Sequence, residues 1–275
     1  MIEVWWLPET LVDVGERSPG LPMRSDSDIM AILLSEDEER DQSEPEVASS
    51  IGEQMLHMDI PLLPRSIRAR IRDVCSRISP KNAVIIGGGI GHLSAWLFDL
   101  WSPISSENEK IQTNRPESLR IIEPGKRFCV IIERLIRRYE AGDWAEVISM
   151  NWQEVIAETI SSRASNVSIE ESALNSNLPM PVDLAVVDLP EDDRADAAKS
   201  IFELVSPGGL VLLLEPTVPT GDVGEIVSGV ELTPAQMKVR SFNRWIELVS
   251  EVNEEHLVGF TDLTGGTLVA LLKKY

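Results

Sequence analysis

From residue 83 onward the chain alternates between short unbroken apolar runs and longer stretches in which apolar residues recur every three or four positions. The runs are Ala83-Val84-Ile85-Ile86, Leu119-Arg120-Ile121-Ile122-Glu123, Glu146-Val147-Ile148-Ser149, Val182 to Asp188 and Leu210 to Leu214. They predict strands buried on both faces, because a strand with one wet face alternates apolar and polar residues instead. The stretches between them predict helices: His92 to Trp101, a segment through Phe128, Ile131, Ile132, Leu135 and Ile136, then Gln153 to Ile160, Ala195 to Val205 and Pro234 to Val252. Two closing strands follow, His256 to Thr261 and Gly266 to Leu272. Buried strands alternating with helices define an α/β chain with a mostly parallel sheet.

The first 80 residues follow a different pattern. Ile2 to Leu7 and Ile29 to Leu34 read as short strands outside the main sheet, and Glu36 to Glu46 as an acidic, solvated loop. Pro64 to Ser79 reads as a linking helix with Ile67, Ile71, Cys75 and Ile78 on one face. Its remaining surface carries Arg65, Arg68, Arg70, Arg72 and Arg77, a basic stripe read as a solvated face paired with local acids, with a phosphate or RNA contact as the functional alternative. Residues 1–80 are therefore a small β-containing extension and residues 81–275 the main unit. Ser102 to Ser118 and Arg163 to Pro181, rich in Ser, Asn, Glu and Pro, read as surface insertions in that unit.

Composition narrows the function classes. With 275 residues, 43% hydrophobic and 25% charged, the chain can bury a core and form one domain with an appendage. Forty-five acidic against 25 basic residues give a net charge of −20, which repels a phosphate backbone and leans toward a cationic small molecule. No apolar run approaches the roughly 20 residues of a bilayer span, and the N-terminus lacks a basic segment followed by an apolar block. Cys75 and Cys129, on helical segments, read as buried reduced thiols, so a cytoplasmic protein is expected. The three histidines (His57, His92, His256) form no ligand pair with a cysteine or with one another at metal spacing. A G-x-S-x-G elbow and a phosphate-binding Walker loop are both absent from the sequence.

The strongest chemical signal is Val84-Ile85-Ile86-Gly87-Gly88-Gly89-Ile90-Gly91-His92, a glycine-rich turn between a strand and a helix. Glycines let a ligand approach the backbone, and the helix start offers free N–H groups. A dinucleotide fingerprint spaced G-x-G-x-x-G would need glycine where His92 stands, whereas Gly87, Gly89 and Gly91 keep a G-x-G-x-G spacing.

From about Lys81 to its end the chain resembles the class I S-adenosylmethionine-dependent methyltransferases. The resemblance rests on Val84 to Gly91, Ile121-Ile122-Glu123-Pro124, Asp183 to Asp188, and Leu204-Val205-Ser206-Pro207-Gly208-Gly209-Leu210. It implies a Rossmann-like, mostly parallel seven-stranded sheet with an antiparallel last strand, and S-adenosylmethionine (SAM) as cofactor. It also implies that Gly87, Gly89 and Gly91 hold the amino-acid end of the cofactor and Glu123 its ribose. Asn151 and Trp152 would bind the adenine, and Asp188 would lie at the reacting centre. A narrower likeness, to the spermidine synthase branch of aminopropyltransferases, rests on Ile85 to Gly89, Glu53 to Leu62 and Asp188-Leu189-Pro190-Glu191. That branch implies decarboxylated S-adenosylmethionine as donor and Asp188 with Glu191 as catalytic acids. Here Ile90 stands where the branch has an acid after its glycines. A third likeness, through Asp188-Leu189-Pro190 and Glu215-Pro216-Thr217, is to tRNA adenine-N1 methyltransferases, and a non-catalytic subunit that keeps the fold is the remaining alternative. The expectation is a transferase acting on a small molecule, with neither nucleic acid nor membrane as partner and a homodimer admitted.

Overall fold

The computed structural model describes residues 25–102, 114–165, 177–221 and 232–275. Elements follow in the order α1 (Asp26–Leu33), α2 (Glu46–His57), α3 (Arg65–Arg77), β1 (Asn82–Ile86), α4 (His92–Trp101), β2 (Ser118–Ile122) and α5 (Lys126–Arg138). Then come β3 (Ala145–Ile148), α6 (Trp152–Ser165), β4 (Val182–Val187), α7 (Glu191–Leu204), β5 (Val205–Leu214), α8 (Pro234–Glu255), β6 (Leu257–Leu263) and β7 (Gly266–Leu272). The strands form one seven-stranded sheet in the order β3-β2-β1-β4-β5-β7-β6. Strands β1 to β5 pair in parallel, and β7 runs antiparallel to both β5 and β6. The expected antiparallel last strand is thus present.

Alternate residues of each strand supply two cores. Ile85, Val186, Leu212 and Ala270 face one, beneath α3, α4 and α5; Ile86, Val187, Leu213 and Val269 face the other, beneath α6, α7 and α8. That double burial is why the strands read as unbroken apolar runs. Cys75 and Cys129 are buried free thiols, as expected.

The N-terminal extension differs from its reading. Ile29 to Leu33 belong to helix α1, not to a strand, and the described part of the extension holds three helices joined by loops and no strand. A capping box starts α1: the Ser25 hydroxyl accepts from the Asp28 N–H while the Asp28 carboxylate accepts from the Ser25 N–H. The proposed strand Ile2 to Leu7 lies outside the described residues. Helix α1 packs on β6, where a Cβ at Gly259 would meet Met30 Cε at 2.7 Å.

The arginine stripe of α3 is not a solvated face either. Arg68 and Arg72 are buried, and the stripe winds the 34–44 segment onto the helix. Arg65 donates to the Gln42 carbonyl at 2.6 Å, Arg70 to Leu34 at 2.6 Å, Arg77 to Ser35 at 2.9 Å, and Arg72 to Asp41. Pairing with the neighbouring acidic loop was expected; the burial that follows from it was not. Each of these four arginines is thus engaged inside the molecule.

Candidate functional site

In the sheet order the chain leaves β1 first toward β2 and β3, then returns to place β4 on the other side. Ligands of open α/β sheets bind at this reversal, outside the carboxyl ends of the strands. The glycine-rich turn lies there. Gly87 has φ +93°, and a Cβ on it would fall 2.2 Å from the Asp188 carbonyl oxygen, so only glycine lets the ends of β1 and β4 approach this closely. Gly91, at φ +89°, is the left-handed residue that starts α4. Between them a Cβ at Gly89 would meet nothing within 4 Å, which leaves open space above the turn.

Glu123 closes the other side of the turn. Only 6% exposed, its carboxylate accepts from the Gly89 N–H and the Gly125 N–H, each at 2.7 Å. Burial raises its pKa, and these two bonds oppose the rise. A carboxylate has about four acceptor positions, so the pair of bonds leaves room for a ribose diol.

Asp188 stands at the end of β4, where its N–H donates to the Ile86 carbonyl at 2.8 Å. Burial pushes its carboxyl up to about 6, with Arg194 and then Arg68 restraining the shift. Arg194 ties two strand ends together, donating to Leu189 at 3.0 Å and to Leu214 at 2.9 Å.

The other expected site residues divide. Asn151 is exposed at the end of β3, where its N–H donates to Glu154 at 3.0 Å. Trp152 is 5% exposed and packed in the second core, its indole N–H donating to Ser200 on α7 at 2.9 Å. That core packing accounts for the burial of the ring without a bound base. Glu191 is turned toward the end of β5 and α8, accepting from the Thr217 N–H and pairing with Lys238 at 3.6 Å. Partial burial pulls its pKa up, and Thr217, Lys238 and Arg194 together hold it below the ordinary value. The Glu191 carboxylate is thus engaged beside the site.

The sequence reading missed a cluster behind the turn. His92, 5% exposed, meets Glu44 Oε1 through Nε2 at 2.8 Å, and Arg68 Nη1 lies against both of its ring nitrogens. Glu44 also pairs with Arg68 at 2.9 Å and receives the Trp96 indole N–H at 3.4 Å. Burial, then Arg68, hold the His92 pKa below its usual value, which suits a neutral ring. Gly52 on α2 gives the ring room, since a Cβ there would lie 3.2 Å from Nε2. One signal pointed to Arg68: it precedes Ile71 by three residues and Cys75 by seven, placing it on the apolar side of its helix. Glu44 and Gly52 left no such trace.

A separate cavity of about 700 Å³ lies along α3 and the β6–β7 turn, bordered by Pro64, Arg65, Arg70, Thr264 and Gly265. It is three strands from the glycine turn in the sheet order. Among the described residues no group of three or more His, Cys, Asp or Glu side chains is placed to hold a metal ion. No described helix is long and apolar enough to cross a membrane.

No protein-family model and no curated protein sequence matches the chain. Solved structures do. An O-methyltransferase from Bacillus cereus in complex with SAH superposes with a TM-score of 0.52 at 14% identity, over 84% of this chain and 92% of that one. The O-methyltransferase TomG from Streptomyces achromogenes, in complex with SAM, gives 0.53 at 17% identity over 84% and 91%. The SAH-bound methyltransferase PaMTH1 from Podospora anserina gives 0.54 at 14% identity over 93% and 100%. At these identities the likeness is one of fold, and the fold is the Rossmann-like one that these methyltransferases share.

Proposed function

We propose that this protein is a SAM-dependent methyltransferase. The observation that carries the reading is the glycine turn at the β1/β4 reversal, with open space at Gly89, a buried carboxylate at Glu123 on one side and Asp188 on the other. The residues present fit the cofactor: Gly87, Gly89 and Gly91 take its amino-acid end, Glu123 the ribose hydroxyls, and the exposed Asn151 amide the adenine amine. When bound, SAM supplies an electrophilic methyl on a sulfonium.

The chain's own contribution is to position the acceptor in line with that methyl and to manage its proton. Asp188, with a pKa near 6, is ionised at neutral pH and is still basic enough to accept a proton from an attacking hydroxyl. The structural neighbours are named O-methyltransferases, which makes a hydroxyl the acceptor class to test first. Aminopropyl transfer fits less well. It would ask Glu191 to receive a cationic amine, and that carboxylate is occupied by Thr217 and Lys238.

Titration calorimetry with SAM tests the reading. Saturable binding is expected, weakened roughly 10- to 100-fold in Glu123→Ala, since hydrogen bonds to a charged group are worth about 1.5–3 kcal/mol. A folded protein that binds no SAM at millimolar concentration would falsify the assignment.

A further inference from the structure

Arg68 reaches the site from outside the sheet. It comes from α3, passes beside Trp96 with its guanidinium carbon 5.5 Å from the ring centroid, and ends against His92, the first residue of α4. All its contacts with Glu44 and His92 are made through Nη1. Nε is buried without a hydrogen-bond partner, and the Nε–Nη2 edge makes no hydrogen bond among the described residues. That edge is the one a carboxylate grips with two parallel bonds. An unmatched buried Nε–H is costly, and the cost is recovered if a ligand completes it. Asp188 is close enough for its charge and that of Arg68 to act on each other, yet no hydrogen bond joins them. The open edge therefore belongs to a residue poised between the start of α4 and the end of β4.

We propose that Arg68 is a donor-selecting residue: its Nε–Nη2 edge receives the α-carboxylate of SAM, while Glu44 and His92 hold Nη1 and so fix the guanidinium plane. This rests on the function proposed above and extends it to the choice of donor. Glu123 and Asn151 bind the nucleoside that SAM and decarboxylated SAM share. Arg68 binds the one group they do not share, so the N-terminal helices commit the site to methyl transfer.

Calorimetry on the wild-type chain with three ligands gives the test without any substitution: SAM, decarboxylated SAM, and 5′-methylthioadenosine, which lacks the amino-acid end. SAM is expected to bind about tenfold or more tighter than decarboxylated SAM, the worth of one charge-assisted bidentate pair. Arg68→Met should weaken SAM by a similar factor and leave 5′-methylthioadenosine unchanged, and Arg68→Lys should restore part of the loss. Equal affinity of the wild type for SAM and its decarboxylated form overturns this assignment alone. So does an Arg68→Met variant that loses SAM and 5′-methylthioadenosine in equal measure, because that pattern marks a structural role. A folded wild type that binds none of the three overturns both this assignment and the function beneath it.

Discussion

The two faces of the sheet are covered by helices of opposite character. Beneath α6, α7 and α8 the buried side chains among the described residues are apolar or, at Thr159, Gln236 and Ser241, uncharged. The other face buries Arg68, Arg72, Asp73 and His92 around Trp96, with Glu44 reaching in from the preceding loop. Buried ion pairs contribute little net stability relative to an apolar replacement, because desolvation offsets most of the attraction. What such pairs supply is a fixed position and direction, and this group surrounds the first turn of α4, the element that begins at the glycine turn. We read the apolar face as the fold's stabilising slab and the charged face as the one that holds the site in register.

The largest expected effect tests that division directly. Trp96→Ala removes a fully buried indole and should cost about 3–5 kcal/mol in denaturant unfolding. Leu248→Ala in the apolar core should cost about 2–5 kcal/mol by the same cavity argument. The discriminating readout is SAM affinity: Trp96→Ala should lower it sharply because Arg68 and Arg72 lose the ring they stack on, and Leu248→Ala should leave it near wild type. Matching affinity losses in the two variants would abolish the distinction between the faces.

Glu44→Gln is the next step down, at about 1–3 kcal/mol, since it leaves the buried Arg68 without its counter-charge. Its pH dependence is signed. The His92 bond and Arg68 hold the folded-state Glu44 pKa below its unfolded value, so its contribution is fully present above that unfolded value, near 4.5. The contribution disappears as pH falls through the depressed folded value. Wild type and Glu44→Gln should therefore differ most at neutral pH and converge in acid, as followed by urea unfolding at stepped pH.

Asp188→Asn should have an effect of the opposite sign. Burial raises the Asp188 carboxyl to about 6, so the folded state holds that proton more tightly than the unfolded chain does. The stabilising effect of protonation is complete below the unfolded pKa, near 3.8, and is lost as pH rises through about 6. The amide avoids the cost of a buried charge, so Asp188→Asn should melt higher than wild type at pH 8 and lose that advantage by about pH 4. A variant that is less stable at pH 8 would mean that Asp188 has a structural rather than a chemical role.

How much of this was visible in the sequence follows from the range of each interaction. Strands β1 to β5 were legible because burial on two faces writes an unbroken apolar run, and the glycine turn because its backbone admits only glycine at Gly87. Helix α1 was misread since Ile29 to Leu34 is too short a run for its period to separate helix from strand; the Ser25–Asp28 capping box was the better guide. Trp152 was placed at the ligand because it follows a strand; its bond to Ser200, 48 residues away on another helix, leaves no local trace. The Glu44–His92–Arg68 cluster joins residues 24 and 48 positions apart, and no local pattern encodes such pairings.

The smallest expected effect sharpens the comparison most finely, because it sets ion pair against ion pair. Lys199 and Glu251 meet at 2.6 Å on the rim of the apolar face, both about half exposed. Solvent and salt screen such a pair, so Lys199→Ala should cost about 0.5 kcal/mol or less, and nothing measurable at about 0.5 M salt. A double-mutant cycle on Lys199 and Glu251 should likewise return a coupling under about 0.5 kcal/mol, erased by salt. The same cycle on Arg68 and Glu44 should return more than about 1.5 kcal/mol and persist, because low-dielectric surroundings exclude the screening ions. If the two couplings proved equal, or faded with salt alike, the charges around Trp96 would be ordinary surface pairs and could not hold α4 in place.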